Sequence, residues 1–242
     1  VQLARNAKKR VLLLDLDAQG NLSDACGLDP QTLEYTVFDV LAGNASIAEA
    51  KSTLEAGLDI LPANIRLAEA ELAFAGRIGR ENLLKKALLS VSGEYDYVLI
   101  DCTPSLGMLT INALTAANEV IIPVQSHFLP AKGLEQLLGT VAKVKRQLNP
   151  TLKINGILLT MVDGRTNLAK DISQLIRKTY GSNIKVFKTE IPLSVKAAET
   201  SAVGKSIYSY DKNGKVADAY RNLTKEVMDN EQRTKHKSEI IR

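Results

Sequence analysis

Three aspartates end apolar runs of this chain, and their placement suggests chemistry on a cation and a phosphate. Asp15 and Asp17 follow the apolar run 11–14, and Asp101 follows a second run at 97–100. In open α/β sheets, ligands bind at the carboxyl ends of the strands. Buried carboxylates are costly without a cation or a donor, and Mg²⁺ takes one or two carboxylates together with phosphate oxygens and water. The pattern predicts a magnesium–phosphate site, with turn or helix-cap roles for Asp15 and Asp17 as the structural alternative.

The elements that must position these acids alternate between strand-like and helix-like segments. Both apolar runs lack polar alternation, which is typical of strands buried on both faces of a parallel sheet. Helical spacing marks segments between the strands, for example at 81–91 and 134–148. This order predicts an α/β fold with a doubly wound, mostly parallel sheet and helices on both faces. We expect one domain over 1–229 and a charged tail over 230–242 that frays.

Two local predictions follow from the same reading. Ser105 precedes an alanine- and leucine-rich helix at 107–117 and is a plausible N-cap for it. The segment 185–191 carries the pattern of a strand and is expected to be the last one of the sheet.

The composition narrows the class of protein. The 242 residues carry a net charge of +4, a balance that is compatible with a nucleic-acid partner without requiring one. The two cysteines, Cys26 and Cys102, form neither a disulfide framework nor a zinc site. The sequence has no signal peptide and no run of 18 apolar residues, which predicts a cytoplasmic protein.

Five motifs follow one another in an order that is more specific than any one of them alone. They are DLDAQGN at 15–21, DCTPSL at 101–106, PVQ at 123–125, TMVDGRT at 160–166 and IPLSVKAAE at 191–199, with Gly204 and Lys205 after the last. Together they resemble the ParA/Soj family of partition ATPases, a deviant-Walker branch of the P-loop ATPases. Ala18 and Thr103 replace prolines of the family pattern. The resemblance implies ATP and Mg²⁺ as cofactors and ATP hydrolysis as the activity.

The resemblance also implies roles for single residues. Asp17 matches the acid that positions or polarises the attacking water, which must lie about 3 Å from the carboxylate. Asp15, one strand step earlier, is expected to support catalysis and the metal shell, and Asp101 is expected to hold Mg²⁺ through water. The predicted nucleotide-binding residues are Gln19, Gly20, Asn21, Gln125, Met161 and Pro192, the last two beside the adenine.

The defining phosphate-binding element of that family, K-G-G-x-G-K-[ST] after a strand, does not occur in this sequence. The first residues, 1–7, resemble the end of the helix that follows the loop. We therefore expect the strand and loop to lie upstream, about 20 residues in all. A chain without this nest of backbone N–H groups is expected to bind ATP poorly. The alternative is an adaptor of the same fold that has lost the loop and hydrolyses nothing.

Partners also follow from the resemblance. It implies an ATP-dependent homodimer that binds DNA non-specifically on the nucleoid, together with a centromere-binding (ParB-type) protein that stimulates hydrolysis. Such DNA binding requires basic side chains that face phosphates and carries no sequence code. Arg165, Lys196 and Lys205 match basic positions of the family pattern, and Lys215 and Arg221 lie close by in sequence. Each of them is otherwise an ordinary solvated surface charge.

A membrane-positioning ATPase of the MinD kind is the remaining alternative within the superfamily. It requires a C-terminal amphipathic helix with large apolar residues. The segment 225–242 offers only Val227, Met228, Ile240 and Ile241, which are too few and badly spaced. We expect no membrane binding, and liposome flotation is the measurement that checks it.

Overall fold

The strands form two separate sheets. They are β1 (Val11–Leu16), β2 (Ser52–Glu55), β3 (Leu58–Leu61), β4 (Tyr97–Cys102), β5 (Glu119–Gln125) and β6 (Lys153–Thr160). This computed structural model describes residues 1–103, 105–126 and 131–240, without the side chains of 131–132 and 231–240. Within these ranges one sheet has the order β2-β3-β1-β4, and the other consists of β5 and β6.

Helices connect and cover these strands. They are α1 (Gln2–Arg5), α2 (Asn21–Ala25), α3 (Val37–Ala42), α4 (Ile47–Ala50), α5 (Ala70–Ala73), α6 (Leu83–Leu89), α7 (Met108–Ala116), α8 (Ala131–Gln147), α9 (Asn167–Tyr180), α10 (Val195–Ala202), α11 (Ile207–Tyr210) and α12 (Lys215–Ile240). No helix in the described part of the chain has the length and apolar content needed to cross a bilayer.

The sheets are mostly parallel, which confirms the predicted α/β class. β1 runs parallel to both β3 and β4, and β5 runs parallel to β6. The Cα of Asp15 in β1 lies opposite the Cα of Asp101 in β4. Only β2 is antiparallel, paired with β3. The chain after β1 continues to β2 and β3 of the same sheet, whereas the chain after β4 continues to β5 of the other sheet. The connections after β1 and β4 therefore lead to different sheets, and the two acids lie at the ends of these strands.

β1 is covered on both faces, as its unbroken apolar sequence predicts. Leu12, Leu14 and Leu16 are fully buried in the largest apolar cluster, which also contains side chains of α3, α6 and α7. Val11 and Leu13 belong to a second cluster with residues of α1. A fully buried leucine side chain contributes about 1.5–3 kcal/mol. β1 is therefore held firmly at the position from which its aspartates project.

α7 packs against both sheets. Its Leu109 and Ala113 belong to the cluster around β1, whereas Leu114 packs with side chains of α8 in another cluster. The outer edges of β4 and β5 pair with no strand in the described ranges. Leu99 of β4 is 46% exposed and Ile121 of β5 is 36% exposed, although both stand in apolar runs.

The C-terminal third differs from the sequence predictions in two places. The strand expected at 185–191 is reduced to one isolated bridge, between Val186 and Ile157 of β6, and a second bridge joins Pro192, just after the segment, to Val162, just after β6. The backbone N–H groups of Lys188 and Thr189 donate instead to the Glu226 carboxylate of α12, at 3.1 and 3.2 Å. α12 itself continues as a helix through Ile240 and so includes most of the tail predicted over 230–242; that this tail frays stays a prediction.

Candidate active site

Asp15 lies fully buried at the end of β1 with both carboxylate oxygens engaged. Oδ1 accepts the backbone N–H of Asp17 at 3.1 Å. Oδ2 accepts both the backbone N–H and the hydroxyl of Ser23, at 3.0 and 2.8 Å. Hydrogen bonds of this kind to an ionised acceptor are the strong ones and offset the cost of burying the charge.

The loop from Asp17 to Asn21 turns sharply at the mouth of the sheet. The half-buried Asp17 accepts the backbone N–H of Gln19 at 3.0 Å. Gly20 caps α2 with φ at +65°, and a Cβ there would lie 3.3 Å from the carbonyl oxygen of Ala63. Only glycine adopts this conformation without strain. Gln19 and Asn21 are exposed, so both side chains are accessible to a ligand.

Asp101 is the acid best placed to hold a cation. It lies beside Asp15 in register and is exposed. Partial burial, followed by the negative charges of Asp15 and Asp17, raises the pKa of its carboxyl above the ordinary value. Like charges close together destabilise each other's ionised form, and a divalent cation relieves that repulsion. In the described residues no three acidic, histidine or cysteine side chains form a group that could hold a metal ion by themselves. A single carboxylate such as that of Asp101 fits Mg²⁺, which binds through one or two carboxylates and keeps water and phosphate ligands.

The turn after β4 is held from a neighbouring helix. The backbone N–H of Met108, at the start of α7, donates to the Glu71 carboxylate at 3.1 Å. The sequence predicted Ser105 as the N-cap of α7, and this prediction is wrong because Gly107 occupies the N-cap position. The Ser105 carbonyl accepts the Thr110 hydroxyl at 2.6 Å. Glu71, whose carboxylate occupies the space that a Cβ at residue 107 would need, supplies the acceptor instead.

Gln125, Met161 and Pro192 lie close to the carboxyl end of the second sheet, at or just beyond the ends of β5 and β6. Gln125 ends β5 opposite Thr160 of β6, and its side chain is exposed. Met161 follows β6 with φ at +52°, a strained conformation for a residue with a side chain. Val162 then bridges to Pro192. The structure thus brings together the pair predicted to lie near adenine.

The basic candidates divide into paired and unpaired side chains. Arg165 forms an ion pair with Asp163 at 2.8 Å, which lowers the pKa of that carboxyl to about 2. Lys196 pairs with Asp211 at 3.1 Å, and Arg221 pairs with Asp218. Lys205 and Lys215 are exposed and form no ion pair with the side chains that the structure describes.

The two thiols are poorly ionised. Burial around the Cys102 sulfur and the adjacent charge of Asp101 raise its pKa to about 12, although the residue as a whole is exposed. Burial and the charge of Asp15 also raise the pKa of Cys26. Both shifts lower the thiolate fraction at neutral pH, which disfavours a nucleophilic role for either cysteine.

A cavity of about 390 Å³ lies at the opposite end of the second sheet. It is lined by Asn118, Glu119, Lys145, Pro150, Thr151 and Lys153. Glu119 and Lys153 are the first residues of their strands, so this cavity is remote from the carboxyl ends that carry the acids. It is not part of the candidate active site.

Comparisons with known proteins identify the family. Residues 1–154 match a family model described as an AAA domain. The chain is 45% identical over 223 residues to the sporulation initiation inhibitor protein Soj of Bacillus subtilis, which covers 92% of this chain and 87% of that protein. It is 39% identical over 226 residues to the chromosome partitioning protein ParA of Caulobacter vibrioides, covering 92% and 84%. The chain belongs to the ParA/Soj family.

A solved structure supports the same fold. The chain is similar to the cobyrinic acid a,c-diamide synthase of Mycobacterium smegmatis, whose structure was solved with an ATP analogue and magnesium. The two are 39% identical, and the match covers 87% of this chain and 86% of the synthase chain with a TM-score of 0.74. The family prediction and the fold prediction are thus confirmed. The roles of single residues in this ParA/Soj member stay predictions.

Sequence reasoning missed two residues that shape the site. The Ser23 hydroxyl accepts the backbone N–H of Ala63, and the Glu71 carboxylate accepts the backbone N–H of Met108. Both contacts join segments that are distant in sequence. The motif DLDAQGN draws attention to residues 15–21, but nothing in it indicates that Ser23 reaches Ala63, 40 positions away. Such a contact depends on the sheet order, which residue spacing does not encode.

Proposed function

We propose that this ParA/Soj family member is an ATP-hydrolysing switch for DNA partition. In this proposal ATP joins two subunits, the dimer binds nucleoid DNA without sequence preference, and a centromere-binding partner stimulates hydrolysis and release. Family membership supports ATP hydrolysis and partition as the general role. ATP with Mg²⁺ is the cofactor that the donor set around Asp101 fits.

The parallel pairing of β1 with β4 carries the proposal. It places Asp15 opposite Asp101, and the charge of Asp17 acts on Asp101 as well. In the proposed reaction Asp17 orients the attacking water and Asp101 holds the magnesium ion through water. The metal ion, when bound, neutralises charge on the phosphates. Gln19, Gly20 and Asn21 line the approach to the loop, and Gln125, Met161 and Pro192 contact the nucleotide from the second sheet.

Replacement of Asp17 tests the hydrolytic role. In the full-length gene product, Asp17→Ala should lower kcat by about 10²-fold or more, the usual contribution of such a group, while ATP still binds. Asp29→Ala is the matched control, because Asp29 is an exposed turn residue whose carboxylate, among the described residues, accepts the N–H of Gln31 alone. Unchanged turnover in Asp17→Ala would remove Asp17 from the mechanism.

Lys205 and Lys215 are proposed as DNA contacts, since neither side chain is neutralised by a described carboxylate. Arg165 and Lys196 have to exchange their present partners, Asp163 and Asp211, before they bind phosphate. Each phosphate contact contributes about −0.9 to the slope of log K against log salt concentration.

The salt dependence of DNA binding measures these contacts. With ATP present, the full-length protein should bind arbitrary duplexes, and the double variant Lys205→Ala/Lys215→Ala should lose about two units of slope per subunit. Lys85→Ala, on the exposed face of α6, is the control and should not change the slope. If the parent protein binds no DNA at low salt, the DNA-binding part of the proposal fails.

The nucleotide-binding capacity of the chain itself separates the switch from a non-catalytic adaptor. The outer edges of β4, which carries Asp101, and of β5 pair with no strand in the described ranges. We propose that tight ATP binding requires a phosphate-binding loop of the K-G-G-x-G-K-[ST] kind, which the 242 residues do not contain. The chain should then bind ATP weakly in equilibrium dialysis, and a version extended at its N-terminus by such a strand and loop should bind it tightly. A gene with no upstream K-G-G-x-G-K-[ST] sequence would favour the adaptor.

A further inference from the structure

The buried carboxylate of Asp15 is directed into the protein and away from the open edge of the sheet. The residue has no exposed surface, and its two oxygens accept three described donors, from Asp17 and Ser23. Asp101, its neighbour in register, is exposed. The two residues are neighbours on adjacent strands, but only the exposed Asp101 of this pair is accessible to a ligand from solvent.

Ser23 extends the contacts of Asp15 to a third segment of the chain. The serine is fully buried, and its hydroxyl donates to Asp15 Oδ2 while it accepts the backbone N–H of Ala63 at 3.0 Å. Ala63 follows β3, and its carbonyl oxygen lies against Gly20. One hydroxyl thus ties the end of β1, the first turn of α2 and the segment after β3 together.

The loop that carries Asp17 lies between these fixed points. Asp15 Oδ1 holds the N–H of Asp17, and Asp15 Oδ2 holds Ser23 on the far side of the turn. The Asp17 carboxylate then accepts the N–H of Gln19, which restricts the directions it can face. A shift of about 1 Å at a reacting group is enough to cost 10²-fold in rate, so the anchoring of this loop matters for any reaction at Asp17.

We propose that Asp15 is a positioning residue, which acts through Ser23 and the backbone of Asp17 and is not a ligand of the magnesium ion. This inference rests on the proposed ATPase function. It replaces the metal-shell role that the sequence suggested for Asp15 with a structural one. The structural reason is that this carboxylate is fully buried and already accepts three described donors, which occupy most of its acceptor sites.

Amide hydrogen exchange tests the anchoring without any nucleotide. In the chain of 242 residues, Ser23→Ala should raise the exchange rate of the Ala63 and Asp17 amides at least tenfold, whereas Ser23→Thr, which keeps the hydroxyl, should leave both near the parent rate. Asp24→Asn is the control, since Asp24 is the exposed neighbour on α2. Equal exchange in Ser23→Ala and the parent would overturn the anchoring role.

The magnesium requirement distinguishes positioning from metal binding. In the full-length protein, Ser23→Ala and Asp15→Asn should both lower kcat about tenfold or more, with an unchanged Mg²⁺ concentration for half-maximal rate, and Ser23→Thr should restore kcat. A tenfold higher Mg²⁺ requirement in Asp15→Asn, combined with normal kcat in Ser23→Ala, would make Asp15 a ligand and overturn the inference. A parent protein that hydrolyses no ATP would instead reject the proposed function, while the exchange result would still decide the anchoring.

Discussion

At the scale of single residues, the same side-chain type performs different tasks at neighbouring positions. Asp15 is fully buried and accepts three described donors, whereas the residue Asp101 is exposed, and partial burial of its carboxyl group and two nearby negative charges oppose its ionisation. The sequence predicted that these acids lie together, because both end apolar strands. The sequence did not distinguish the roles of Asp15 and Asp101, because those roles depend on which carboxylate oxygens accept hydrogen bonds in the folded chain.

Asp101→Asn is expected to stabilise the chain at neutral pH in the absence of metal. The folded-state pKa of Asp101 is raised, so its ionisation costs stability as the pH rises from the ordinary aspartate value through the folded-state value. The melting temperature of the variant should exceed that of the parent at pH 7, and the two should converge below about pH 3.5. A variant that melts below the parent at pH 7 would contradict this electrostatic account.

Gly20→Ala is expected to destabilise the chain by about 1–2 kcal/mol, since its φ of +65° is costly for any residue with a Cβ. The carbonyl of Ala63 leaves little room for that Cβ. Gly76→Ala is the control, because a Cβ at residue 76 would have no neighbouring atom within 4 Å among the described residues. Denaturant unfolding of both variants measures the difference, and equal midpoints would contradict the strain argument.

At the scale of elements, α3 depends on a side chain from another segment for its C-terminal end. The Arg77 guanidinium donates to the carbonyl oxygens of Leu41 and Ala42 at 3.2 and 2.9 Å and lies 4.9 Å from the centre of the Phe74 ring. The last carbonyl groups of a helix have no partner within the helix, so an external cation with several donors is favourable there.

Arg77→Ala is expected to lower the free energy of unfolding by about 1–2 kcal/mol, because two carbonyl groups and a ring contact lose their partner. Arg77→Lys should recover less than half of the loss, since an ammonium lacks the planar fork that binds two carbonyls at once. Urea denaturation provides the measurement. Full recovery by lysine would show that charge alone stabilises the helix end.

At the scale of the whole molecule, the separation into two sheets is the dominant feature. β4 and β5 carry apolar sequences but are edge strands in the described chain, and their Leu99 and Ile121 are partly exposed. Exposed apolar edge strands promote association between chains. The chain alone is therefore expected to self-associate at high concentration.

Leu99→Glu should reduce that self-association, because a charge on an edge strand opposes strand pairing between molecules. Light scattering at rising protein concentration is the measurement. Leu89→Glu is the matched control: Leu89 is 69% exposed, but it lies at the end of α6, not on a sheet edge. An equal gain in solubility from both variants would indicate a general charge effect.

The sequence predicted most of this architecture and less of its detail. The unbroken run of β1 and the spacing of its acids indicated a parallel sheet and a shared site, and the register of Asp15 with Asp101 agrees with it. β2 escaped prediction because its four residues, Ser52–Glu55, contain no apolar run. The strand expected at 185–191 is interrupted because the Glu226 carboxylate accepts the backbone N–H groups of Lys188 and Thr189. Glu226 lies 37–38 positions away, so no local sequence pattern predicts this contact.

The raised thiol pKa values make the protein convenient for spectroscopy. Burial of the sulfur and the charge of Asp101 raise the pKa of Cys102, so maleimide dyes should label it more slowly than an ordinary exposed thiol. A new cysteine at an exposed position such as Lys205 would react far sooner than either native one. A fluorophore could then report on the basic segment without first removing Cys26 and Cys102.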